Sequence, residues 1–304
     1  MEKKYKLTEE TIEYLGHKLY RIESLKNFGN VRKGCRGGWI ENESNLSHEG
    51  NCWVYDDAMV FNNARIYDDA RIHWKSKVYQ HARVYEKAAI YEKAEITGLA
   101  EVYGRAEVYG KARILGEAKI YGDSSVCDEV VINDHVKVYG EASVYGCSVI
   151  TEYVEISGNA KISDNAVVSG YAEISDNAEI FGDADVGKDA KVFGNAAIYE
   201  RAIITGGAII SEKAIISGNA IIDGEVEIKS INDYIVFKNF WSSGRYFTYI
   251  RPSKMWRVGC FFGTGEELIK KAYKDSEKSG KSYARCVRFV EGLEKELEND
   301  LNDK

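Results

Sequence analysis

Histidine and cysteine are the side chains of this sequence best suited to acid–base, nucleophilic or metal chemistry. Histidine can act as a general base near neutral pH, and cysteine thiolates attack carbonyl groups or hold zinc. The cysteines are scattered, with no Cys-x-x-Cys pair, so they indicate reduced thiols rather than a zinc or redox site. They are Cys35, Cys52, Cys127, Cys147, Cys260 and Cys286.

The histidines do not form a motif either. His17 and His48 precede the repetitive part of the sequence, and His73, His81 and His135 lie within it. The segment 263–265, Gly-Thr-Gly, lacks the lysine and the preceding parallel strand of a phosphate-binding loop, so it indicates a helix cap. We therefore assign no catalytic residue and no metal site from these residue types.

A six-residue repeat dominates the sequence. Every sixth residue from Val54 to Ile228 is valine or isoleucine, thirty consecutive positions without an insertion. A small residue, mostly alanine, lies two positions before each of them, so both side chains point to the same side of an extended strand. Glycine, asparagine and charged residues follow, as turns require. Each hexapeptide is a short strand and a corner, and only stacked coils can bury its apolar side.

The outward residues indicate how many hexapeptides form one coil. Residues 18 apart share a chemical class: the column from Tyr67 to Tyr139 is all tyrosine. The column from Tyr55 is mostly aromatic as far as Tyr145, and the column from Phe61 is mostly small and polar. Two hexapeptides per coil would mix these classes. The spacing predicts a three-sided parallel solenoid of about ten coils, with strands about 4.8 Å apart.

Non-repetitive segments flank the repeats. Residues 1–50 are predicted to be an N-terminal cap with two short strands around Gly16, and residues 51–230 are predicted to be the β-helix. Caps are expected because a stack of coils leaves an unpaired edge at each end. The predicted fold class is therefore mainly β.

Residues 231–304 are predicted to form a small α+β module, a hairpin plus two helices. The predicted elements are a hairpin turning at 242–244, a third strand over 255–262, a helix capped by Thr264 and a second helix after Gly280. The pattern leaves open whether this module is a plain cap or a head that binds a partner.

Composition and charge narrow the functional classes. The formal net charge is -7, a balance from which no nucleic-acid-binding stripe follows, so we expect no direct binding of nucleic acid. There is no apolar run of membrane-spanning length and no apolar stretch typical of a secretory signal after the first residues. We therefore expect a cytoplasmic protein without a membrane partner.

The hexapeptides resemble those of the left-handed β-helix, or hexapeptide-repeat, superfamily. Segments such as Ala106–Lys111 (AEVYGK) and Ala160–Asn165 (AKISDN) carry the resemblance. The segments Gly37–Ile40 (GGWI) and Gly50–Asp56 (GNCWVYD) are similar to uncharacterised bacterial and prophage proteins labelled transferase-like. The resemblance covers about residues 1–230 and implies left-handed coils, with glycine and asparagine easing the corners.

The resemblance implies an activity from which this sequence departs. Enzymes of the superfamily transfer acyl groups from coenzyme A, with a histidine base near a loop between coils and the cofactor between packed subunits. Here no loop interrupts residues 54–228, and the Gly-x-x-x-Trp-Ile-Gly stretch of many acetyltransferases is absent from the coils. His81 and His135 occupy equivalent positions three coils apart, about 14 Å, so they cannot share a metal within one chain.

Outward tyrosines are the remaining candidates for a site. Exposed aromatic columns either stack on one another and stabilise the coils, or form a surface for a partner or for self-association. The candidate residues are Tyr67, Tyr85, Tyr103, Tyr121, Tyr139, Tyr91, Tyr109 and Tyr145.

These observations lead to two hypotheses. The first is a non-catalytic rigid scaffold, without a cofactor, that presents aromatic faces and the C-terminal module to a protein partner. The prophage resemblance implies that the partner is a phage component or a host defence protein such as a nuclease, for example as the target of a phage-encoded counter-defence inhibitor. The superfamily implies a homo-oligomer, a trimer or a dimer. The alternative is a coenzyme A-dependent acyltransferase using acetyl-CoA. A ladder that binds ice or carbohydrate is disfavoured because the outer columns lack regular Thr-x-Thr arrays.

Overall fold

The repeat folds as a parallel β-solenoid of about 11 turns, which is the architecture that the sequence predicts. The computed structural model describes residues 2–240 and 244–302. Thirty two-residue strands, β4 to β33, follow one another every six residues from Trp53–Val54 to Glu227–Ile228. Strands 18 residues apart pair in parallel, for example Ile66 with Val84 and Val84 with Val102. The three-sided coil is therefore confirmed.

Three flat faces result from this pairing, and we number them in chain order. Face 1 begins with β4 (Trp53–Val54), face 2 with β5 (Met59–Val60) and face 3 with β6 (Arg65–Ile66), and each takes every third strand thereafter. Corner 1–2 joins faces 1 and 2, corner 2–3 joins faces 2 and 3, and corner 3–1 leads into the next coil. The inward valines, isoleucines and alanines have no solvent exposure along almost the whole length, which makes one continuous aliphatic core.

Each corner depends on a residue with positive φ. Where this residue is aspartate, and also at Glu86, its carboxylate accepts a hydrogen bond from the corner N–H of the next coil. Asp176 Oδ2 accepts from Gly194 N at 3.0 Å, and Glu86 Oε2 accepts from Gly104 N at 2.9 Å. Where it is glycine, as at Gly104 with φ 73°, an added Cβ would lie 2.7 Å from the backbone N of the next coil. Acidic residues and glycine are therefore two solutions to the same corner.

An N-terminal cap extends face 2. The strands β1 (Tyr5–Tyr14) and β2 (His17–Ser24) form the expected hairpin around Gly16, and β2 pairs antiparallel with β3 (Arg36–Ile40). A short 3-10 turn, Glu43–Asn45, follows. The Lys4 ammonium is 1% exposed and donates to the carbonyl oxygens of Glu49, Gly50 and Cys52, which fixes the loop under the first corner.

One coil lies outside the six-residue count. Strand β3 pairs in parallel with β5, joining Ile40 to Val60, and Leu46 bridges to Ile66. Both offsets are 20 residues rather than 18, so a two-residue insertion hides this coil from the hexapeptide pattern. This coil explains why the solenoid has more turns than the thirty repeats predict.

The C-terminal module is an antiparallel sheet packed on two helices. Its strands are β34 (Tyr234–Lys238), β35 (Tyr246–Ile250), β36 (Met255–Val258) and β37 (Phe261–Gly263), preceded by a 3-10 turn at Ile231–Asp233; its helices are α1 (Gly265–Asp275) and α2 (Glu277–Asn302). The module covers the last coil: Thr248 Oγ1 accepts from Ile221 N at 3.1 Å, and Arg257 pairs with Asp223 at 3.4 Å.

Two details of the prediction for this module are wrong. The single strand over 255–262 is two strands, because Gly259, with φ 58°, turns the chain back so that Val258 pairs with Phe261. Helix α2 begins before Gly280, which lies inside it, where the Tyr273 ring leaves no room for a Cβ. The hairpin and the Thr264 capping box are confirmed, although 242 and 243 lie outside the described residues.

Candidate functional site

The five tyrosines of corner 3–1 form one stacked column. Successive ring centroids are 4.8 to 4.9 Å apart and the planes are within 5° of parallel. All are half-buried, and burial raises the pKa of the Tyr103 and Tyr121 phenols above the ordinary value. The ring faces therefore contact one another, and ring edges and hydroxyl groups remain outward. The column consists of Tyr67, Tyr85, Tyr103, Tyr121 and Tyr139.

The other three predicted tyrosines, Tyr91, Tyr109 and Tyr145, do not form a stacked column of this kind. They follow face 1, where His73 stacks between Tyr55 and Tyr91, with ring centroids 4.1 and 5.4 Å away. Cys127 stands between Tyr109 and Tyr145 in the same column, so those two rings are two coils apart. The eight predicted residues are thus one column of five rings and three separate rings on another side of the solenoid.

Two of the remaining histidines have local roles. His17 Nδ1 lies 2.9 Å from Glu41 Oε1 within the N-terminal cap, and His135 Nδ1 lies 3.3 Å from Glu117 Oε2 on the solenoid. Within residues 2–240 and 244–302, no three His, Cys, Asp or Glu side chains are arranged to hold a metal ion. Over the same residues, no helix combines the length and apolar character needed to cross a bilayer.

A groove along corner 1–2 was not predicted from the sequence. It has a volume of about 650 Å³ and runs over the first coils of the solenoid. Trp74 stands at its edge with φ 56° and 52% of its surface exposed. An exposed indole in a left-handed conformation is uncommon, because tryptophan is usually buried and bulky residues rarely adopt positive φ. The remaining lining is Asp56, Asp57, Lys75, Glu92, Lys93, Gly110, Lys111, Asp128 and Glu129.

Three lysines form a column beside the indole. Lys75, Lys93 and Lys111 are 18 residues apart and so lie on successive coils, about 4.8 Å from one to the next. We call them the lysine column. Only Lys111 has a carboxylate within 4.0 Å, Glu129, among the ion pairs of the described residues. Like charges in neighbouring coils repel, which makes this column a candidate site for an anion on its face 2 side. In the corner 1–2 groove itself, five carboxylates outnumber the three lysines.

A second groove shares the lysine column and lies on face 2. Its volume is about 710 Å³, and it is bounded by Trp39 and Met59 on the side of the N-terminal cap. Lys77 and Arg113 also line it, so five cations face two carboxylates, Asp57 and Glu95. The lysine column is therefore the ridge between two grooves, one with an exposed indole and one with excess positive charge.

His73 is the imidazole nearest to this ridge in sequence. It directly precedes Trp74, and both rings contact Tyr91, with centroids 5.4 and 6.2 Å away. Burial lowers the pKa of the His73 imidazole below its usual value, so the ring is neutral at pH 7. A neutral imidazole can accept a proton.

Sequence reasoning missed the lysine column because it compared only the residues directly after each strand. The same 18-residue comparison two positions further on gives Asp57, Lys75, Lys93, Lys111 and Glu129. The signal was therefore present in the sequence. It would have been found by sorting every outward position by coil.

The stacked three-sided coils establish the architecture of this chain. The fold is a hexapeptide-repeat β-solenoid. No protein-family model matches the chain. "Uncharacterized acetyltransferase YdcK" of Escherichia coli (strain K12) is 47% identical over 38 residues, 12% of this solenoid chain and 12% of the relative. The chain thus matches about an eighth of that relative's length, which is too little to carry over an activity.

Among solved structures, the solenoid is similar to the UDP-N-acetylglucosamine acyltransferase from Campylobacter jejuni. The TM-score is 0.37 at 17% identity, and the match covers 47% of this chain and 72% of the other. A shared fold does not fix a function. The activity of this solenoid must therefore be argued from its own residues.

Proposed function

We propose that this solenoid is an acyltransferase that takes its acyl group from coenzyme A, bound along the lysine column. The observation that carries the proposal is the column itself: three like-charged lysines on successive coils beside the exposed indole of Trp74. The name of the relative that matches over 38 residues, "Uncharacterized acetyltransferase YdcK", is of the same class of activity.

The lysine column and the cations of the face 2 groove fit the phosphates of coenzyme A, whereas five carboxylates line the groove beside Trp74. The cofactor carries phosphate groups and an adenine ring at one end and a thioester at the other. Ammonium groups repeated at the coil spacing suit several phosphates, since lysine binds phosphate as a point charge. An exposed indole offers a face on which an adenine can stack. The bound thioester would supply the acyl group, and the chain would supply binding and proton transfer.

His73 is the candidate general base. An acyl transfer needs a group that takes the proton of the attacking hydroxyl or amine. The His73 imidazole is neutral at pH 7 and stacks between Tyr55 and Tyr91, so its ring orientation is held. A ring nitrogen would accept the proton as the acceptor attacks the thioester carbonyl, and would return it to the departing thiolate.

Isothermal titration with acetyl-CoA tests the binding step. Replacing Lys75, Lys93 and Lys111 by glutamine is expected to weaken binding at least about a hundredfold, because several charge-assisted contacts are lost together. The matched control replaces Lys137, Lys161 and Lys191, each of which already pairs with a glutamate, and is expected to change little. The absence of saturable heat at millimolar acetyl-CoA, or an equal loss in the control, contradicts the proposal.

Replacement of His73 tests the chemical step separately. His73→Phe keeps an aromatic ring between Tyr55 and Tyr91 and removes the base. We expect unchanged affinity for acetyl-CoA, and thiol release with amine and sugar acceptors slowed by about a hundredfold or more. An unchanged rate would show that another residue is the base. It would not contradict the proposed binding site for the acyl donor.

A second candidate function rests on the tyrosine column of corner 3–1. Its ring edges and hydroxyls form a straight outward row, a surface chemistry typical of protein interfaces. The occupant would be a protein partner, such as a host defence nuclease bound by a phage-encoded inhibitor, or further copies of this chain in a trimer or dimer. Alanine at Tyr85, Tyr103 and Tyr121 tests this role. Unchanged mass by light scattering together with unchanged partner capture would remove it.

A further inference from the structure

A separate groove lies where the N-terminal cap meets the start of face 3. Its volume is about 510 Å³, and it shares no residue with the lysine column or with Trp74. We call it the cap groove. Its lining consists of Glu43, Ser44, Leu46, Ser47, His48, Arg65, Ile66, Tyr67 and Arg83. Leu46 and Ile66 are buried in the core beneath it, so the half-buried ring of Tyr67 is its accessible apolar surface, and most of the other side chains are hydrogen-bond donors.

Two arginines on neighbouring coils are the charged part of this groove. Arg65 and Arg83 pair in register on strands β6 and β9, so two guanidinium groups leave the same face one coil apart. Arg65 has no ion pair or side-chain hydrogen bond within the described part of the chain. Arg83 lies 3.8 Å from Glu101, whose other oxygen accepts from the Tyr85 hydroxyl. Directly opposed like charges are unfavourable unless an anion lies between them.

His48 adds a buried donor without a partner. Its Nδ1 accepts a hydrogen bond from Lys4 N at 3.2 Å, so Nε2 carries the ring proton. That Nε2 is buried and makes no hydrogen bond to any described residue. The carboxylate of Glu43 is 3.8 Å away, beyond hydrogen-bonding distance. A buried N–H without an acceptor is unfavourable, and a bound oxygen would satisfy it.

The one carboxylate of the groove is already neutralised. Glu43 accepts from the Lys3 ammonium at 2.6 and 3.0 Å, and this contact holds the pKa of the Glu43 carboxyl below its usual value. The arginines thus carry the net charge of the groove. The Ser47 hydroxyl already accepts from Glu49 N at 3.0 Å, so its own proton is free to be donated.

We propose that the cap groove binds a small organic oxyanion, a phosphate monoester or a carboxylate with an apolar body. Arg65 and Arg83 pair with its oxygens, His48 Nε2 donates to it, and the half-buried ring of Tyr67 contacts the body. This site goes beyond the acyl-donor site, since it uses other residues on another side of the solenoid.

Titration of the intact protein with phenyl phosphate and with benzoate tests this site. We expect at least one of the two to bind saturably, and the tighter one identifies the oxyanion. Arg65→Gln and Arg83→Gln are each expected to weaken binding about tenfold, because each removes a charge-assisted contact. Arg65 is exposed and makes no side-chain hydrogen bond, so its glutamine variant retains the fold, which circular dichroism verifies.

Lys119→Gln is the matched control. Lys119 is an exposed cation in the same outer column as Arg65 and Arg83, beyond the groove, and its replacement should leave binding unchanged. Glutamine at Lys75, Lys93 and Lys111 should also leave it unchanged, which separates this proposal from the acyl-donor site. Two results overturn the proposal: neither probe binds saturably at about 10 mM, or Lys119→Gln weakens binding as much as Arg65→Gln.

Discussion

The first and second halves of the solenoid share an interior and differ outside. Inward positions are valine, isoleucine and alanine in both halves, apart from the buried Ser76, Ser124 and Ser148, and almost all of them have no solvent exposure. Outside, the first half carries the tyrosine column, the lysine column and Trp74. In the second half the corner column that continues the tyrosines is serine except at Phe193, and an adjacent column becomes an amide ladder in which Asn159, Asn177 and Asn195 hydrogen-bond in sequence. The coil therefore constrains the residue types at inward and corner positions only. The outward columns can differ in residue type and so can carry functional side chains.

The largest expected effect tests the shared interior. Ile120→Ala and Ile174→Ala remove equivalent inward side chains of face 3 in the two halves. Each is expected to lower the free energy of unfolding by about 2–5 kcal/mol, through lost burial and the cavity left behind. Urea denaturation followed by circular dichroism measures both. Tolerance in one half and loss in the other would contradict an equivalent core.

The corners give the next effect. Gly140 has φ 72°, and Gly140→Ala would place a Cβ 2.9 Å from Gly158 N, at a cost of about 2 kcal/mol. Gly140→Asp should cost less, because the same corner two coils later uses Asp176, with φ 57° and a carboxylate bonded to the next coil. Melting temperatures of both variants measure this order. A higher melting temperature for Gly140→Ala than for Gly140→Asp would refute the claim that a carboxylate stabilises this corner.

The tyrosine column should contribute less than the interior. Tyr103→Ala breaks two ring stacks and is expected to cost about 1–3 kcal/mol, whereas Tyr103→Phe keeps both stacks and should be near neutral. Ser157→Ala, in the equivalent column of the second half, should also be near neutral. Urea denaturation of the three variants decides the point. Equal stability of Tyr103→Ala and the parent would show that the stacks do not stabilise the coils.

The smallest effect is a pH dependence confined to the first half. Burial raises the pKa of the Tyr85, Tyr103 and Tyr121 phenols, so the folded state holds their protons more tightly than the unfolded chain does. Their stabilisation is complete below about pH 10, the unperturbed phenol value, and is lost as the pH rises through the folded pKa. Absorbance of phenolate and circular dichroism between pH 9 and pH 12 should show late ionisation followed by unfolding, shifted upward in Tyr85→Phe. Ionisation at the ordinary value would oppose this account.

Much of the fold could be predicted because the buried positions recur at a fixed spacing in the sequence. Thirty inward positions and the 18-residue columns specify a three-sided parallel coil, and Thr264 with Glu267 specifies the capping box of α1. The coil of Arg36–Ile40 could not be counted, since its 20-residue offset breaks the period. The turn at Gly259 was missed because a glycine within an apolar run is also compatible with a continuous strand.

The candidate sites were harder to predict because they depend on neighbours distant in sequence. The tyrosines were found from one column, and their stacking was one of two interpretations left open. The pairing of His48 Nδ1 with Lys4 N joins residues 44 positions apart, and only the folded cap brings His48 next to Arg65. No motif records such a contact.

The central claim is that the outer surface of the first half, at corner 1–2, binds the acyl donor. A crystal structure of the protein grown with coenzyme A tests it most directly. We predict density for the cofactor along the lysine column, with phosphates near Lys75, Lys93 and Lys111 and the adenine against Trp74. Density on another face or in the second half, or none at saturating cofactor, would contradict the claim.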